Sequence, residues 1–268
     1  MDYRDAWLTN PYIPKRPPLI QHLHARLERQ VLKAASGAIF VNPHLVNLVL
    51  DAHPAIAVPR MVIRNGFDPQ DFQQLPEPEP HSPLTIGIMG SIYSQGNRPL
   101  LLLTAIQELI QEMPQWRARL RVQFIGKWSP GFLSRVKQFP YPEVIQWQSY
   151  LPHQQALQVA ARCHVLALSI EEEYPGNTAV TPGRLYEYLA LGRPILAMVP
   201  PESDVAAVVK KAGVGIVIAP TDKQKLKNHL REWIQQPPAG IPPKWETLKE
   251  FSRPYQTHQL IQFLQQIL

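Results

Sequence analysis

The sequence predicts an α/β protein whose main part is a doubly wound parallel sheet. From residue 84 onward, six short apolar runs follow one another. Each run is nearly continuous, as expected for strands that helices cover on both faces. Amphipathic stretches separate the runs, and this alternation is typical of parallel sheets with right-handed crossovers. The length of 268 residues leaves room for one full domain of about 150 residues and a partial second domain.

The elements of this main part can be assigned in order. The predicted strands are Leu84–Met89, Leu120–Ile125, Val144–Trp147, Val165–Ile170, Ile195–Val199 and Gly215–Ile218. The clearest helix is predicted over Pro99–Met113, because Leu102, Ile106, Leu109 and Met113 recur at the helical period. The other predicted helices are Pro130–Gln138, His153–Arg162, Gly183–Leu191, Ser203–Ala212 and Lys223–Ile234.

The segment before residue 76 predicts only about two strand–helix units. These are a helix over Leu19–Ala35, a strand over Ala38–Val41, a helix over Pro43–Asp51 and a strand over Met61–Arg64. Two units are too few to close a sheet, so we expect a partial Rossmann-like domain. Acidic and basic residues alternate at Asp2, Arg4 and Asp5, and such a chain start is expected to be solvated or frayed.

Proline-rich stretches divide the chain. Residues 76–83 are rich in Pro and Glu and predict an extended linker. We therefore expect a partial N-terminal domain over 1–75, a main domain over 84–236, and a breaker-rich segment with a final helix over 237–268. The final helix is predicted over Tyr255–Leu268.

Composition limits the class of protein. The net charge is 27 − 21 = +6, with the basic residues scattered. This favours an anionic ligand or an acidic membrane surface only weakly, and it argues against nucleic acid. A solvated basic surface is an equally good interpretation. Cys163 is the only cysteine and has apolar neighbours, which indicates a buried thiol and a reducing compartment.

Targeting signals are also missing from the sequence. No apolar run approaches the roughly 20 residues of a membrane span, and the first residues do not resemble a signal peptide. We expect a cytoplasmic protein, with contact at the inner membrane surface as the alternative location.

The block from Thr181 to Leu196 contains the main candidates for ligand binding. Its predicted helix buries Leu185, Tyr188, Leu189 and Ala190 and yet contains one acid, Glu187, placed in the second turn. Pro182 suits the first turn of the helix, and Gly192 suits a left-handed residue at its end. A loop with Thr181 and Gly183 that leads into a helix with Arg184 in its first turn predicts an anion site.

This block resembles the nucleotide-sugar signature of GT-B glycosyltransferases of the family-four (group 1) type. Further segments are similar to motifs of that family and appear in the same order. They are Asp2–Trp7, Ile63–Asp68, Gly90–Tyr93 with Arg98 and Pro99, and Leu151–His153. Arg64 stands where the family usually has proline.

The resemblance implies a donor site for a nucleoside diphosphate sugar, without a metal or another cofactor. Glu187 would hold the ribose hydroxyls. The residues that would surround the diphosphate are Thr181, Pro182, Gly183, Arg184, Gly90, Ser91 and Arg98, with Lys127 as a further cation. The plain alternatives are an exposed helix acid, a helix cap with a surface arginine, and a solvated turn lysine. Asn42 and His44 are weaker candidates for contact with the acceptor.

Two departures from the family pattern qualify this function. The family often pairs two glutamates, and the first of them would fall at Ala179. The family's N-terminal domain also extends before the segment that matches Asp2–Trp7. We therefore expect a chain that is shortened at its N-terminus, or a partner chain that supplies the missing half.

The expected activity is transfer of a sugar from a nucleoside diphosphate sugar to an acceptor hydroxyl, with retention of configuration. The acceptor would be a sugar or a lipid-linked molecule. The main alternative is a non-catalytic remnant or partner subunit that keeps nucleotide-sugar binding, and a weaker one is a nucleotide-sugar epimerase.

Overall fold

The structure, a computed structural model, contains two parallel sheets. It describes residues 1–8, 10, 13, 16–79, 83–92, 99–171 and 176–268. One sheet has three strands and the other has six. This confirms the predicted α/β class, with a doubly wound main sheet and a smaller Rossmann-like unit before it.

The smaller sheet has the order β1-β2-β3. Its strands are β1 (Asp2–Tyr3), β2 (Ala38–Phe40) and β3 (Arg60–Val62), and its connecting helices are α1 (Pro18–Ala34) and α2 (Pro43–Asp51). The Asp2, Arg4 and Asp5 side chains are exposed, which agrees with a solvated chain start. The start is not frayed, because β1 pairs with β2 and the Tyr3 ring stacks on Phe40 with centroids 5.1 Å apart. Tyr3 is only 2% exposed, so burial of its ring holds this two-residue strand in place.

The larger sheet has the order β6-β5-β4-β7-β8-β9. Its strands are β4 (Leu84–Met89), β5 (Leu120–Ile125), β6 (Ile145–Gln148), β7 (Val165–Ser169), β8 (Ile195–Met198) and β9 (Gly215–Ile218). The helices between and after them are α3 (Leu100–Glu112), α4 (Pro130–Lys137), α5 (His153–Ala161), α6 (Arg184–Leu191), α7 (Asp204–Ala212) and α8 (Lys223–Gln235). Every predicted strand and helix of this unit is present, and the ends differ by at most one residue.

Apolar side chains fill both faces of the larger sheet. The predicted stripe of α3 is confirmed for Leu102, Ile106 and Leu109, which are fully buried. The prediction that Met113 belongs to this stripe is wrong, because the helix ends at Glu112 and Met113 is 39% exposed. Cys163 is buried, as its apolar neighbours predict.

The C-terminal segment returns to the smaller sheet. After a short helix α9 (Trp245–Leu248), helix α10 (Arg253–Ile267) begins beside the loop that follows β3. The Phe67 amide donates to the Phe251 carbonyl at 3.0 Å, and the Arg253 amide donates to the Phe67 carbonyl at 2.9 Å. At its other end, α10 packs Phe263 and Ile267 against Gly37. The chain thus passes between the two sheets twice, once between β3 and β4 and once between α8 and α10.

Membrane crossing has no support in the helices. Within the described residues, no helix combines the length and the apolar character that a bilayer span requires.

Candidate functional site

The larger sheet has a topological switch point at β4 and β7. The chain moves outward from β4 through β5 to β6 and then returns to the other side of β4 with β7. Ligands of open parallel sheets bind outside the carboxyl ends of the strands at such a point. Gly90 and Ser91 directly follow β4 and therefore lie at this position.

A cleft lies between this edge and the smaller sheet. One cavity of about 620 Å³ is lined by Gly90, Ser91 and residues 180–184 from the larger unit, and by Arg4, Asp5, Asn10 and Asn65 from the smaller unit. A second cavity of about 500 Å³ contains Glu187 together with Arg253 and Gln256 of α10. Arg4, Asn65 and Gly183 line both cavities, so the two are parts of one cleft.

Arg184 connects α6 to the end of β4. Its Nη1 donates to the Met89 carbonyl at 2.9 Å and to the Ser91 carbonyl at 3.5 Å. Gly90 has a φ of +100°, and a Cβ at that position would lie 2.8 Å from Nη1. A side chain at residue 90 would therefore be strained and would displace the guanidinium. The structure thus brings together Arg184, Gly90 and Ser91, which the sequence assigns to one site.

One guanidinium nitrogen of Arg184 lacks a partner. Its Nε is buried, and no hydrogen-bond acceptor for it occurs in the described part of the chain. A buried donor without a partner costs free energy, commonly about 1–3 kcal/mol. Arg184 is also among the residues that line the 620 Å³ cavity.

The first turn of α6 begins later than the sequence predicts. Pro182 and Gly183 precede the helix, which starts at Arg184, so Glu187 lies in the first turn and not in the second. Gly192 ends the helix with a φ of +65°, as predicted. A Cβ at Gly183 would meet no atom within 4 Å, so the protein itself does not require glycine there. The Leu185 and Tyr186 amides of the first turn already donate to the Pro182 and Gly183 carbonyls, at 3.0 and 3.1 Å.

Thr181 holds the turn through its side chain. Its hydroxyl donates to Asp204 Oδ2 at 2.9 Å and accepts from Asn42 Nδ2 at 2.9 Å. Asn42 is fully buried and also donates to the Ala179 carbonyl at 2.7 Å. The side chains of Thr181 and Asn42 are therefore structural, and the Thr181 carbonyl accepts from Asn65 Nδ2 at 3.3 Å.

Glu187 lies on the wall of the cleft with its side chain 22% exposed. Its Oε1 is 2.9 Å from Nε2 of His153, the first residue of α5. The carboxylate therefore lies at the cleft and is mostly buried, and His153 contacts it on one side.

Of the predicted cations, Lys127 lies elsewhere. Arg98 is outside the described residues. The Lys127 ammonium lies 5.4 Å from the ring centroid of Tyr150, a cation–π arrangement, and Lys127 lines neither cavity.

The position of the first paired glutamate has no carboxylate. Ala179 is buried there among apolar side chains of the smaller unit. Glu171, the nearest described acid before it in sequence, accepts from the Leu101 amide at 2.9 Å and from the Ser169 hydroxyl at 2.6 Å. It therefore caps the start of α3.

Several residues of the cleft have no counterpart among the sequence candidates, and Arg4, Asn65 and Arg253 are among them. Arg4 donates to the Ile63 carbonyl at 3.4 Å and to Asn65 Oδ1 at 3.5 Å. The position of two of them in the sequence could have indicated this location, because Arg4 and Asn65 each follow a strand at its carboxyl end. Arg253 comes from α10, and no local pattern indicates that this helix reaches the cleft.

Metal binding has no geometric support in the described ranges, where no group of three or more His, Cys, Asp or Glu side chains could hold an ion.

Solved structures with the same chain path identify the architecture. A glycosyltransferase from Rickettsia africae superposes with a TM-score of 0.70 at 13% identity, over 95% of this chain and 68% of that one. The apo lipopolysaccharide outer core galactosyltransferase WaaB gives a TM-score of 0.61 at 13% identity, over 93% and 81%. The fold is GT-B. An S. aureus TarM variant in complex with Fondaparinux, alpha-GlcNAc-glycerol and UDP shares the GT-B fold with a TM-score of 0.64 at 10% identity.

The chain is shorter than these GT-B proteins. The superposition on TarM covers 97% of this chain but 49% of the TarM chain. No family model matches the sequence, and no curated protein matches it.

Proposed function

We propose that this chain is a glycosyltransferase that binds a nucleoside diphosphate sugar in the cleft between its two sheets. The observation that carries the proposal is the convergence of Arg184, Gly90 and the 181–183 turn at the switch point, with Glu187 on the adjoining wall. The GT-B fold supports it, since the solved neighbours named above include glycosyltransferases and one complex with UDP.

In this proposal the diphosphate lies against the start of α6. The dipole of α6 and the Arg184 guanidinium supply positive potential there. As the bond to the sugar breaks, negative charge grows on the departing diphosphate, and these fixed donors stabilise it without reorganisation. The proposed reaction transfers the sugar to an acceptor hydroxyl with retention, and it requires no metal or prosthetic group.

Glu187 is proposed to accept hydrogen bonds from the two ribose hydroxyls. A carboxylate has two acceptor oxygens and suits a diol. A hydrogen bond to a charged group is worth about 1.5–3 kcal/mol, so the loss of even one should weaken binding roughly 10- to 100-fold.

Calorimetric titration with UDP, GDP and ADP tests the donor site. We expect one of them to bind the wild-type protein and Glu187→Ala to weaken that binding at least tenfold. Glu143→Ala is the matched control, because Glu143 is an exposed acid paired with Arg117 on the surface. Absence of binding by all three nucleotides would overturn the proposal.

A second candidate is a subunit that binds the nucleotide sugar without transferring it. Ala179 favours it, since no carboxylate occupies the position of the first paired glutamate. Turnover with radiolabelled donors separates the candidates, and NMR of the product gives the anomeric configuration. Transfer by the isolated chain would exclude the non-catalytic candidate.

A partner chain is proposed as part of the active assembly. Helix α1 exposes Leu19 (80%), Leu23 (49%) and Leu27 (40%) in one row, and β1 has only one neighbouring strand among the described residues. A polypeptide can satisfy both the apolar row and the unpaired strand edge, whereas a lipid surface cannot pair with a strand. If so, Leu23→Glu should abolish any stimulation of turnover by the partner and leave nucleotide affinity unchanged.

A further inference from the structure

His153 contacts Glu187 from outside the cleft. Its Nε2 lies 2.9 Å from Glu187 Oε1, yet His153 lines neither of the two cavities. The imidazole therefore reaches a ligand in the cleft only through the carboxylate. Because Nε2 engages Oε1, the second carboxylate oxygen and a remaining lone pair of Oε1 are left for a ligand.

A second carboxylate, that of Asp71, lies near the imidazole. Asp71 lies in the single helical turn Pro69–Phe72, on the segment that leads from the smaller sheet to the larger one. Its Oδ2 is 3.8 Å from His153 Nδ1, and its Oδ1 accepts from Gln154 Nε2 at 2.7 Å. Asp71 Oδ2 lies beyond hydrogen-bond distance of Nδ1, and because a carboxylate only accepts, the contact with Glu187 places a proton on Nε2. Gln154 fixes Asp71 in place. The three side chains form a row from the connecting segment to the wall of the cleft.

We propose that His153 is a positioning residue that fixes the Glu187 carboxylate for the ribose diol and so makes the site selective for ribonucleotides. The inference rests on the proposed function, because it assigns Glu187 to the ribose. A free glutamate side chain loses conformational entropy when a ligand orders it. A carboxylate that His153 already holds avoids much of this loss, so its hydrogen bonds contribute more fully to affinity.

The alternative is a plain surface ion pair, since the His153 side chain is 50% exposed. Exposed pairs contribute little, and such a pair would not affect the selection of a sugar. The two interpretations differ in one measurable quantity, which is the ratio of affinities for a ribonucleotide and its deoxy analogue.

The experiment compares the nucleoside diphosphate that binds the wild-type protein with its 2′-deoxy and 3′-deoxy analogues, by calorimetry. We expect the wild type to prefer the ribonucleotide at least tenfold. His153→Ala should lower ribonucleotide affinity about tenfold and leave the deoxy affinities nearly unchanged, so that the preference disappears. His153→Gln keeps an N–H near the position of Nε2 and should retain part of the preference. His22→Ala, on the exposed side of α1, is the matched control.

The outcomes separate the two proposals. A wild-type preference that persists unchanged in His153→Ala overturns the positioning role while leaving the donor site intact. Equal loss of affinity for the ribo and deoxy compounds in His153→Ala also overturns it, because such a loss indicates a general structural effect. Failure of the wild type to bind any nucleoside diphosphate overturns the proposed function itself.

Discussion

Cys163 shows how strongly burial acts on a single group. The thiol lies between α5 and β7 under the larger sheet, 1% exposed, and its Sγ lies 3.6 Å from the Val159 carbonyl. Burial raises the pKa of this thiol to about 12, because the thiolate would lose its hydration. The residue is therefore an apolar core group at neutral pH and does not act as a nucleophile.

This raised pKa predicts a loss of stability in alkaline solution. Above about pH 8.5, the cysteine pKa of an unfolded chain, the unfolded protein loses the thiol proton while the folded protein keeps it. The contribution is thus complete below that pH and declines as pH rises toward the folded pKa. The expected loss is about 2 kcal/mol between pH 8.5 and pH 10.

Urea unfolding across this range provides the measurement, with Cys163→Ala as the control that lacks the ionisable group. Tyr188, whose pKa burial also raises to about 12, adds to the decline only above about pH 10. Identical slopes in the two proteins between pH 8.5 and pH 10 would contradict the assignment.

At the scale of elements, the start of α2 has two roles. Asn42 Oδ1 accepts from the Leu45 amide at 2.7 Å and so caps the helix. Its Nδ2 donates to the Ala179 carbonyl and to the Thr181 hydroxyl, just before α6. One side chain thus begins a helix of the smaller unit and supports the turn at the cleft in the larger unit.

We expect Asn42→Ala to lower the free energy of unfolding by about 2–4 kcal/mol, since it removes a cap and leaves buried acceptors without a donor. Ser129→Ala is the comparison, because Ser129 caps α4 by accepting from the Phe132 amide at 3.3 Å. That change should cost about 1 kcal/mol. Equal losses in the two variants, measured by denaturant unfolding, would mean that the contacts of Asn42 with residues 179 and 181 contribute nothing.

At the scale of the molecule, Arg64 joins the two units. Its Nη1 donates to Asp204 Oδ2 at 2.5 Å, and Asp204 is 2% exposed at the start of α7. The same oxygen accepts from the Thr181 hydroxyl, so the ion pair and the 181–183 turn share one acceptor. The arginine that replaces the family's usual proline therefore supplies a link between the sheets.

A double-mutant cycle with Arg64→Ala and Asp204→Ala should give a coupling energy of about 1.5–3 kcal/mol, as expected for a largely buried charged hydrogen bond. The Arg117–Glu143 pair has side chains 52% and 42% exposed and serves as the reference. Its coupling should stay below about 1 kcal/mol. Unfolding free energies in urea supply both values, and similar couplings would refute a special role for Arg64.

The sequence alone determined the larger sheet. Apolar runs such as Leu84–Met89 and the periodic stripe of α3 are local patterns, because burial on both faces of a strand and on one face of a helix selects neighbouring residues. The same holds for the polar turn before α6, where Gly and Thr precede Arg184 and Glu187. What those two side chains bind stays a prediction.

Only the tertiary structure decided how the cleft is closed and supported. The two-residue strand β1 is too short for a periodic signal, and the return of α10 to the smaller sheet depends on packing against Gly37. The contacts Arg64–Asp204 and His153–Glu187 join residues 140 and 34 positions apart. Polar contacts of this kind depend on where the folded backbone places two side chains, and no local pattern of sequence encodes that distance.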